Sequence, residues 1–255
     1  MSRSQIAVTI AVGVLTLGCT SPPPAPKPLK TDRAPTKQRS AKSAAVRVPK
    51  FDVAPPGPVT RPTPRDPPKG MTQVRAGDDT IRIDIRYATA DNFTGAPLEG
   101  YLPGVAWLTQ PAADALAKVQ GELAPDGLGI LVFDAYRPLR ATKAMVAWAE
   151  ATKRTKLLDD GYIARASNHN RGNTLDLTLV TLADGTELDM GTAWDTFSPA
   201  SHYGAAQGEA KANRKRLRAV MTKHGFVPFE KEWWHFTLSG DPAPPPLDIP
   251  YANDP

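Results

Sequence analysis

The chain has 255 residues, 27 of them proline, with a formal net charge of +5 and a pI near 9.3. Fourteen of the prolines and a net charge of +8 fall within residues 22–70; setting that stretch and Arg3 aside leaves −4 for the region from Met71 onward. That sign excludes a phosphate-binding surface on the globular part, and with it a nucleic-acid partner, while the roughly 185 remaining residues suffice for one domain with a single core.

In chain order, Arg3 precedes an apolar run over residues 6–18 that is too short to span a bilayer and has the length of a signal-peptide core. It ends at Leu15-Thr16-Leu17-Gly18-Cys19, and Cys19 is the only cysteine. A lone Cys forms no internal disulfide. Its place straight after an apolar run and a Gly resembles a bacterial lipoprotein cleavage box, with Thr16 where Leu is usual. The expectation is a signal peptide over residues 1–18, lipidation of Cys19, and a location in the periplasm or cell envelope with the membrane reached through that anchor. Residues 19–70, rich in Pro and basic groups and poor in large apolar ones, are expected to be a disordered tether. Residues 71–240 form the expected domain, followed by a Pro-rich tail over 241–255.

Within the domain, residues 80–86 alternate, with Ile81, Ile83 and Ile85 on one face of an expected strand. A long loop rich in Asn, Gly and aromatics follows. Thr109-Gln110-Pro111 has the chemistry of a helix start, with Thr109 as N-cap and Pro111 in the first turn. Residues 129–133 (Gly-Ile-Leu-Val-Phe) read as a buried strand, and Pro138 opens the next helix. Arg137 therefore sits where a strand ends and a helix begins. Ser167 to Leu179 contains turn chemistry at Asn170-Arg171-Gly172-Asn173, then an alternating strand. Leu175, Leu177 and Leu179 form its core face, and Thr174, Asp176 and Thr178 its polar face. Residues 182–186 read as a hairpin-like turn. Residues 189–202 are irregular. A helix over about 209–223 ends at Gly225, and its Lys211, Arg214, Lys215, Arg216 and Arg218 read as a solvated charge run. Two strands, 226–229 and 230–238, close the domain.

Of the four histidines, His224 lies in the last turn of a helix, where a cation is favourable, and reads as structural; His202 is ambiguous. Taken as ligands, His169, Asp176 and His235 give two imidazoles and a carboxylate, a set that suits zinc with a fourth position left for water. Zinc lowers the pKa of that water, and Glu232 is the candidate base that takes its proton. Residues three apart in a regular strand point to opposite faces, so Glu232 and His235 require a bend or a break in the strand. Arg137 is the best candidate to stabilise an oxyanion. There is no Gly-x-Ser-x-Gly elbow and no Pro-Cys-x-x-Cys, which removes the common serine-hydrolase and zinc-deaminase patterns. The residues by themselves indicate a metal hydrolase.

Ser167-x-His169-x6-Asp176 together with Glu232-x-x-His235 resembles the signature of the zinc D-Ala-D-Ala peptidases, and most closely the VanX-type D-alanyl-D-alanine dipeptidases. Supporting segments run in order from about residue 72 to 240: Arg86-Tyr87-Ala88-Thr89, Asp91-Asn92-Phe93-Thr94-Gly95, Tyr136-Arg137-Pro138, Asp189-Met190-Gly191-Thr192, Trp194-Asp195, Ser201-His202 and Glu232-Trp233-Trp234-His235. The resemblance implies one zinc ion on His169, Asp176 and His235, with Glu232 as general base and later acid, and Arg137 stabilising the tetrahedral intermediate. It places Ser167 and Asp195 near the free ammonium of the substrate. It implies an α+β fold, a single compact domain with a central antiparallel sheet flanked by helices, as in the Hedgehog/DD-peptidase group. The activity it implies is hydrolysis of D-Ala-D-Ala or a similar short D-containing dipeptide. Two alternatives stand beside it: a D-alanyl-D-alanine carboxypeptidase trimming peptidoglycan stem peptides, which requires an open groove, and a non-catalytic zinc-containing wall-binding lipoprotein, which requires neither Glu232 nor Arg137.

Overall fold

The computed structural model describes residues 62–74 and 80–253. The expected signal peptide, Cys19 and most of the expected tether lie outside the described residues.

Two sheets are present among the described residues. Strands β1 (Met71–Gln73) and β3 (Trp107–Thr109) form a small antiparallel pair. The larger sheet contains β2 (Ile81–Ile83), β4 (Leu128–Asp134), β5 (Thr174–Thr181), β6 (Phe226–Phe229) and β7 (Glu232–Leu238), in the order β2-β4-β5-β7-β6. Its pairings are antiparallel except β2–β4, which is parallel. The exception follows from connectivity. Between β2 and β4 the chain runs through β3 and helix α1 (Gln110–Leu123), and a crossover of that length returns the chain in the same direction. Helices α2 (Leu139–Ala151), α3 (Lys156–Asp159) and α4 (Gly208–Lys223) complete the α+β domain, with α1 and α4 packed on each other.

The helix starts follow local chemistry. Thr109 caps α1, its side chain accepting from the Ala112 backbone N–H, with Pro111 in the first turn. Pro138 stands just ahead of α2. The expected strand over residues 80–86 is shorter in the structure: β2 stops at Ile83 and residues Arg86–Ala88 turn into a 3-10 helix that buries Tyr87.

The structure extends one expectation and corrects another. The first concerns β5, which lies centrally in the sheet and is buried on both faces, so Thr174, Asp176 and Thr178 do not face solvent. The irregular segment after β5 folds back over that face, and the Trp194 indole N–H donates to Asp176. The second concerns the cationic run on α4. Arg216 pairs with Asp126 and Arg218 with Glu230 at the surface, but Arg214 is buried. Its guanidinium donates to the carbonyls of Met190 (2.7 Å), His202 (2.7 Å) and Ala200 (3.1 Å). The irregular segment has few ladder partners of its own, and a buried carbonyl without a partner is costly. Arg214 supplies three donors where the sequence showed only a stripe of positive charge.

Residues flanking 71–240 also pack on the domain. The Arg65 N–H donates to the Tyr251 carbonyl at 2.8 Å, and Pro64 bridges Ala252. Tyr251 is fully buried against Trp107 and Tyr136, although residues 241–253 contain no helix or strand.

Replacing Arg214 by Met removes three donors from buried carbonyls while keeping the stem. The expected loss of stability is about 3 kcal/mol, measured as a lower midpoint in guanidinium denaturation.

Candidate active site

The site begins with register. Asp134 at the end of β4 stands opposite Asp176 on β5, and Asp176 stands opposite His235 on β7. Directly opposed residues on antiparallel strands point to the same face with Cβ atoms about 5 Å apart. Three polar side chains thus share one row across three strands. A β-bulge between Val132 and Asp134 creates this row. Upstream, Leu131 faces Thr178 and Val132 faces Leu177, so a regular ladder would place Phe133 opposite Asp176. The extra residue moves Asp134 into that place instead.

His169 enters from the turn preceding β5. It lies in a 3-10 helix (Asn168–Arg171) whose N-cap, Ser167, accepts from the His169 backbone N–H, and Gly172 at φ +75 reverses the chain into the strand. The His169 Nδ1–H donates to the Ala135 carbonyl at 2.7 Å. That bond leaves Nε2 as the outward-facing donor atom, 3.3 Å from Asp176 Oδ1 and 3.3 Å from His235 Nδ1. His235 Nδ1 lies 3.0 Å from the same Asp176 oxygen. The other oxygen, Oδ2, accepts from the Trp194 indole N–H at 3.3 Å.

Glu232 reaches this cluster despite the three-residue offset from His235. The ladder between β6 and β7 shifts register after Pro228, so that Phe229 faces Glu232 across the turn. The break lets both side chains turn to one side, and Glu232 Oε2 lies 3.7 Å from His235 Nδ1.

Arg137 is held rigidly. Its Nε and Nη2 both donate to Asp134 Oδ2, at 3.0 and 2.8 Å, its guanidinium lies over the Tyr87 ring, and Nη1 contacts the Met145 sulfur. Asp134 Oδ1 accepts from the Tyr101 hydroxyl and the Ala135 N–H, and Asp134 Oδ2 lies 3.4 Å from His169 Nδ1. Asp195, at φ +56, accepts from the Tyr87 hydroxyl at 2.7 Å. Ser167, Asp195, Arg137, Glu232 and the His-Asp-His cluster all line one cavity of about 190 Å³. All seven site residues read from the sequence within the described region come together. Asp134, Tyr87 and Trp194 carry site contacts that sequence reasoning gave no role. The available signals were Asp134 three residues before Arg137, Trp194 next to Asp195, and Tyr87 within the Arg86-Tyr87-Ala88-Thr89 segment that supports the resemblance.

The cavity holds Asp176, Asp195 and Glu232, with Asp134 behind Arg137, so carboxylates outnumber the single guanidinium. Burial, then the charges of Asp176 and Asp195, push the Glu232 carboxyl well above the ordinary range, against Arg137 and Lys231. Burial also raises Asp195 well above it, opposed by the hydrogen bond from Tyr87. For Asp176 burial works in the same direction, but His169 and His235 outweigh it and keep the carboxyl ionised. Burial lowers the pKa of His235, against the pull of Asp176. An ionised carboxylate beside a neutral imidazole is the protonation state in which these groups bind metal. The donor atoms of His169, Asp176 and His235 lie within 4.8 Å of one another, and the excess negative charge favours a cation among them. The residues fit one metal ion.

A family model described as D-ala-D-ala dipeptidase (Peptidase_M15) matches residues 69–254. The chain is 39% identical over 189 residues to a D-alanyl-D-alanine dipeptidase of Streptomyces coelicolor, covering 68% of this chain and 93% of the relative. It is 38% identical over 180 residues to one of Enterococcus faecium, covering 64% and 89% respectively. Among solved structures it is similar to the LdcB LD-carboxypeptidase, at 21% identity and a TM-score of 0.38 over 52% of this chain and 60% of the other. It is also similar to the zinc-bound D,D-pentapeptidase VanY, at 18% identity and a TM-score of 0.36 over 56% and 78%.

Without metal, the raised pKa of Glu232 means that the folded state binds a proton the unfolded state has released. Stability is therefore lost as pH rises from the unfolded carboxyl value, about 4.3, through the raised folded value. Glu232→Gln removes that loss. The metal-free variant is expected to melt at a higher temperature than metal-free wild type at pH 7 and at the same temperature at pH 4; equal melting at both pH values would contradict the assignment.

Proposed function

The chain belongs to the Peptidase_M15 family of D-ala-D-ala dipeptidases, and from that premise we propose that it hydrolyses D-Ala-D-Ala, or a similarly short D-containing dipeptide, with one zinc ion per chain. The observation that carries the reading is the convergence of His169 Nε2, Asp176 Oδ1 and His235 Nδ1, with Glu232 beside them and Arg137 across the same cavity. The separations of 3.0 to 3.3 Å put the three donor atoms close enough to share one cation; two imidazoles and a carboxylate are a donor set that suits zinc.

Zinc held by these three residues would supply Lewis-acid activation of a water molecule. Glu232 receives the proton of that water at a carboxylate oxygen and later delivers it to the leaving amine. Burial and the charges of Asp176 and Asp195 raise the Glu232 carboxyl; a cation held beside it by His169, Asp176 and His235 would offset that rise and favour the ionised form that accepts the proton. Arg137 directs positive charge at the oxygen that becomes negative when the carbonyl carbon turns tetrahedral. Its double contact with Asp134 fixes it beforehand, so little reorganisation is required as that charge develops. Asp195 and Ser167 receive the substrate ammonium, and an arriving cation favours the ionised form of Asp195.

A stem-peptide carboxypeptidase is the second reading. A wider groove of about 910 Å³ shares Asp195, Phe93, Phe197 and Tyr162 with the cavity, which gives a longer peptide room. On sequence grounds alone, the enzyme is exported and anchored through Cys19; a Cys19→Ser form is expected to leave the membrane fraction.

With zinc-loaded protein, free D-Ala-D-Ala is expected to be cleaved in preference to its N-acetylated form and to a muropeptide pentapeptide. Preference for either of the latter two would favour the carboxypeptidase. No turnover with zinc bound would favour a binding protein. Glu232→Ala is expected to retain zinc, measured by metal analysis, while kcat falls by about a thousandfold or more; an active variant would mean that another group takes the proton.

A further inference from the structure

Helix α2 closes through a left-handed residue. The N–H of Lys153 donates to the Glu150 carbonyl and that of Arg154 to the Ala149 carbonyl, the paired bonds that end a helix in this way. The left-handed residue is Lys153, at φ +59. Glycine adopts this conformation without strain, and a side chain adopts it at a cost. A lysine thus stands where backbone energetics favour glycine, and the helix end itself does not require its charge.

Lys153 lines the wider groove, whose volume of about 910 Å³ is that of a small-molecule site. Trp148, Phe93, Phe197 and Leu157 give the groove an apolar wall, with Phe93 set edge-on to both Trp148 and Phe197. Lys153, Arg154, Lys156 and Lys231 supply its cations. Lys156 is paired with the Asp160 carboxylate at 2.8 Å. Among the described residues the other three are in no ion pair. The Arg154 guanidinium lies over the Trp148 ring, 5.2 Å from its centroid, and the Lys231 ammonium donates to the Asp160 carbonyl and lies 5.9 Å from the Tyr162 centroid. The remaining carboxyl of the groove, Asp195, accepts from Tyr87, which belongs to the catalytic cavity. An apolar concavity is therefore bordered by an excess of positive charge, and its potential favours an anion.

We propose that this groove is a second binding site, separate from the metal cluster, for a small organic anion: a carboxylate or phosphate carried on an apolar body. A guanidinium ordered over a ring retains its N–H edge, so Arg154 can donate two parallel hydrogen bonds to one anionic group. Lys153 and Lys231 add charge, and the aromatic wall receives the apolar body. Both halves of the ligand are required. A bare inorganic ion leaves the wall uncovered, and a flat anionic surface such as a membrane does not enter a concavity. The inference goes beyond the dipeptidase reading and does not rest on it.

The test is calorimetric titration of the zinc-loaded full chain with phenyl phosphate, benzoate, inorganic phosphate and benzyl alcohol. At least one of the first two is expected to bind saturably at one site, and the last two at least about tenfold more weakly, the scale of losing either the charged contacts or the apolar ones. The double variant Lys153→Gly with Arg154→Gln is expected to raise the Kd of the bound probe at least about tenfold. Glycine at position 153 relieves the left-handed strain, so Lys153→Gly by itself is expected to weaken binding without lowering the melting temperature. That separates loss of the site from loss of the fold. Which of phenyl phosphate and benzoate binds more tightly tells phosphate from carboxylate. Binding that is unchanged in the double variant would place the anion at the metal or at Arg137 and overturn the inference. So would inorganic phosphate binding as tightly as phenyl phosphate, or no saturable binding of either aromatic anion. Adsorption to phosphatidylglycerol vesicles with no binding of the small anions would make the basic rim a membrane-facing patch and overturn it as well. Binding is read without turnover, so a chain inactive on D-Ala-D-Ala leaves this test intact.

Discussion

One register shift underlies the site. The bulge in β4 replaces Phe133 with Asp134 opposite Asp176, and β7 brings His235 into the same row. Without it an apolar ring would stand where a carboxylate now holds Arg137 and approaches His169. The remaining parts are arranged on this row: His169 from the turn before β5, Glu232 from the broken start of β7, and Arg137 from the end of β4. Each of the last two departs from regular strand geometry at the point where it contributes. Such breaks are costly in ladder hydrogen bonds and persist where they redirect side chains.

Charge is the second constraint. Four buried or half-buried carboxylates gather around one guanidinium, and burial drives two of them, Glu232 and Asp195, toward the neutral form. Asp176 remains ionised because two imidazoles face it. The two states differ by partner, not by depth. The same depth yields a group ready to hold a proton and a group ready to hold a metal.

The loop that completes the site is rigid by indirect means. Among the described residues it has no strand partner beyond a single bridge from Val180 to Glu187, yet it must present Trp194 to Asp176 and Asp195 to the cavity. Arg214 secures it from α4 through three carbonyls, and Trp233 and Ser201 add hydrogen bonds through Thr192 and to the Thr196 carbonyl. Asp195 sits at positive φ, a conformation that side chains adopt when their surroundings hold them there.

The amino-acid sequence by itself determined the chemistry and most of the elements. The spacing His169-x6-Asp176, the pair Glu232-x-x-His235, the Thr109 cap and the leucine alternation of β5 are local patterns, and local patterns survive without a fold. The resemblance carried by those motifs extended this to Arg137, Ser167 and Asp195. Tertiary structure decided what depends on distant residues meeting. That Asp176 is buried on a doubly covered strand follows from a loop folding back over it. That Arg214 is an internal clamp follows from carbonyls 12 to 24 residues away along the chain. Asp134, Tyr87 and Trp194 stand beside or within quoted segments, but their roles arise only in the fold, because each acts across 18 residues or more or through a bulge. Sequence carries the identity of a reactive group; its orientation, its charge state and the side chains that hold it are set when separate strands come into register.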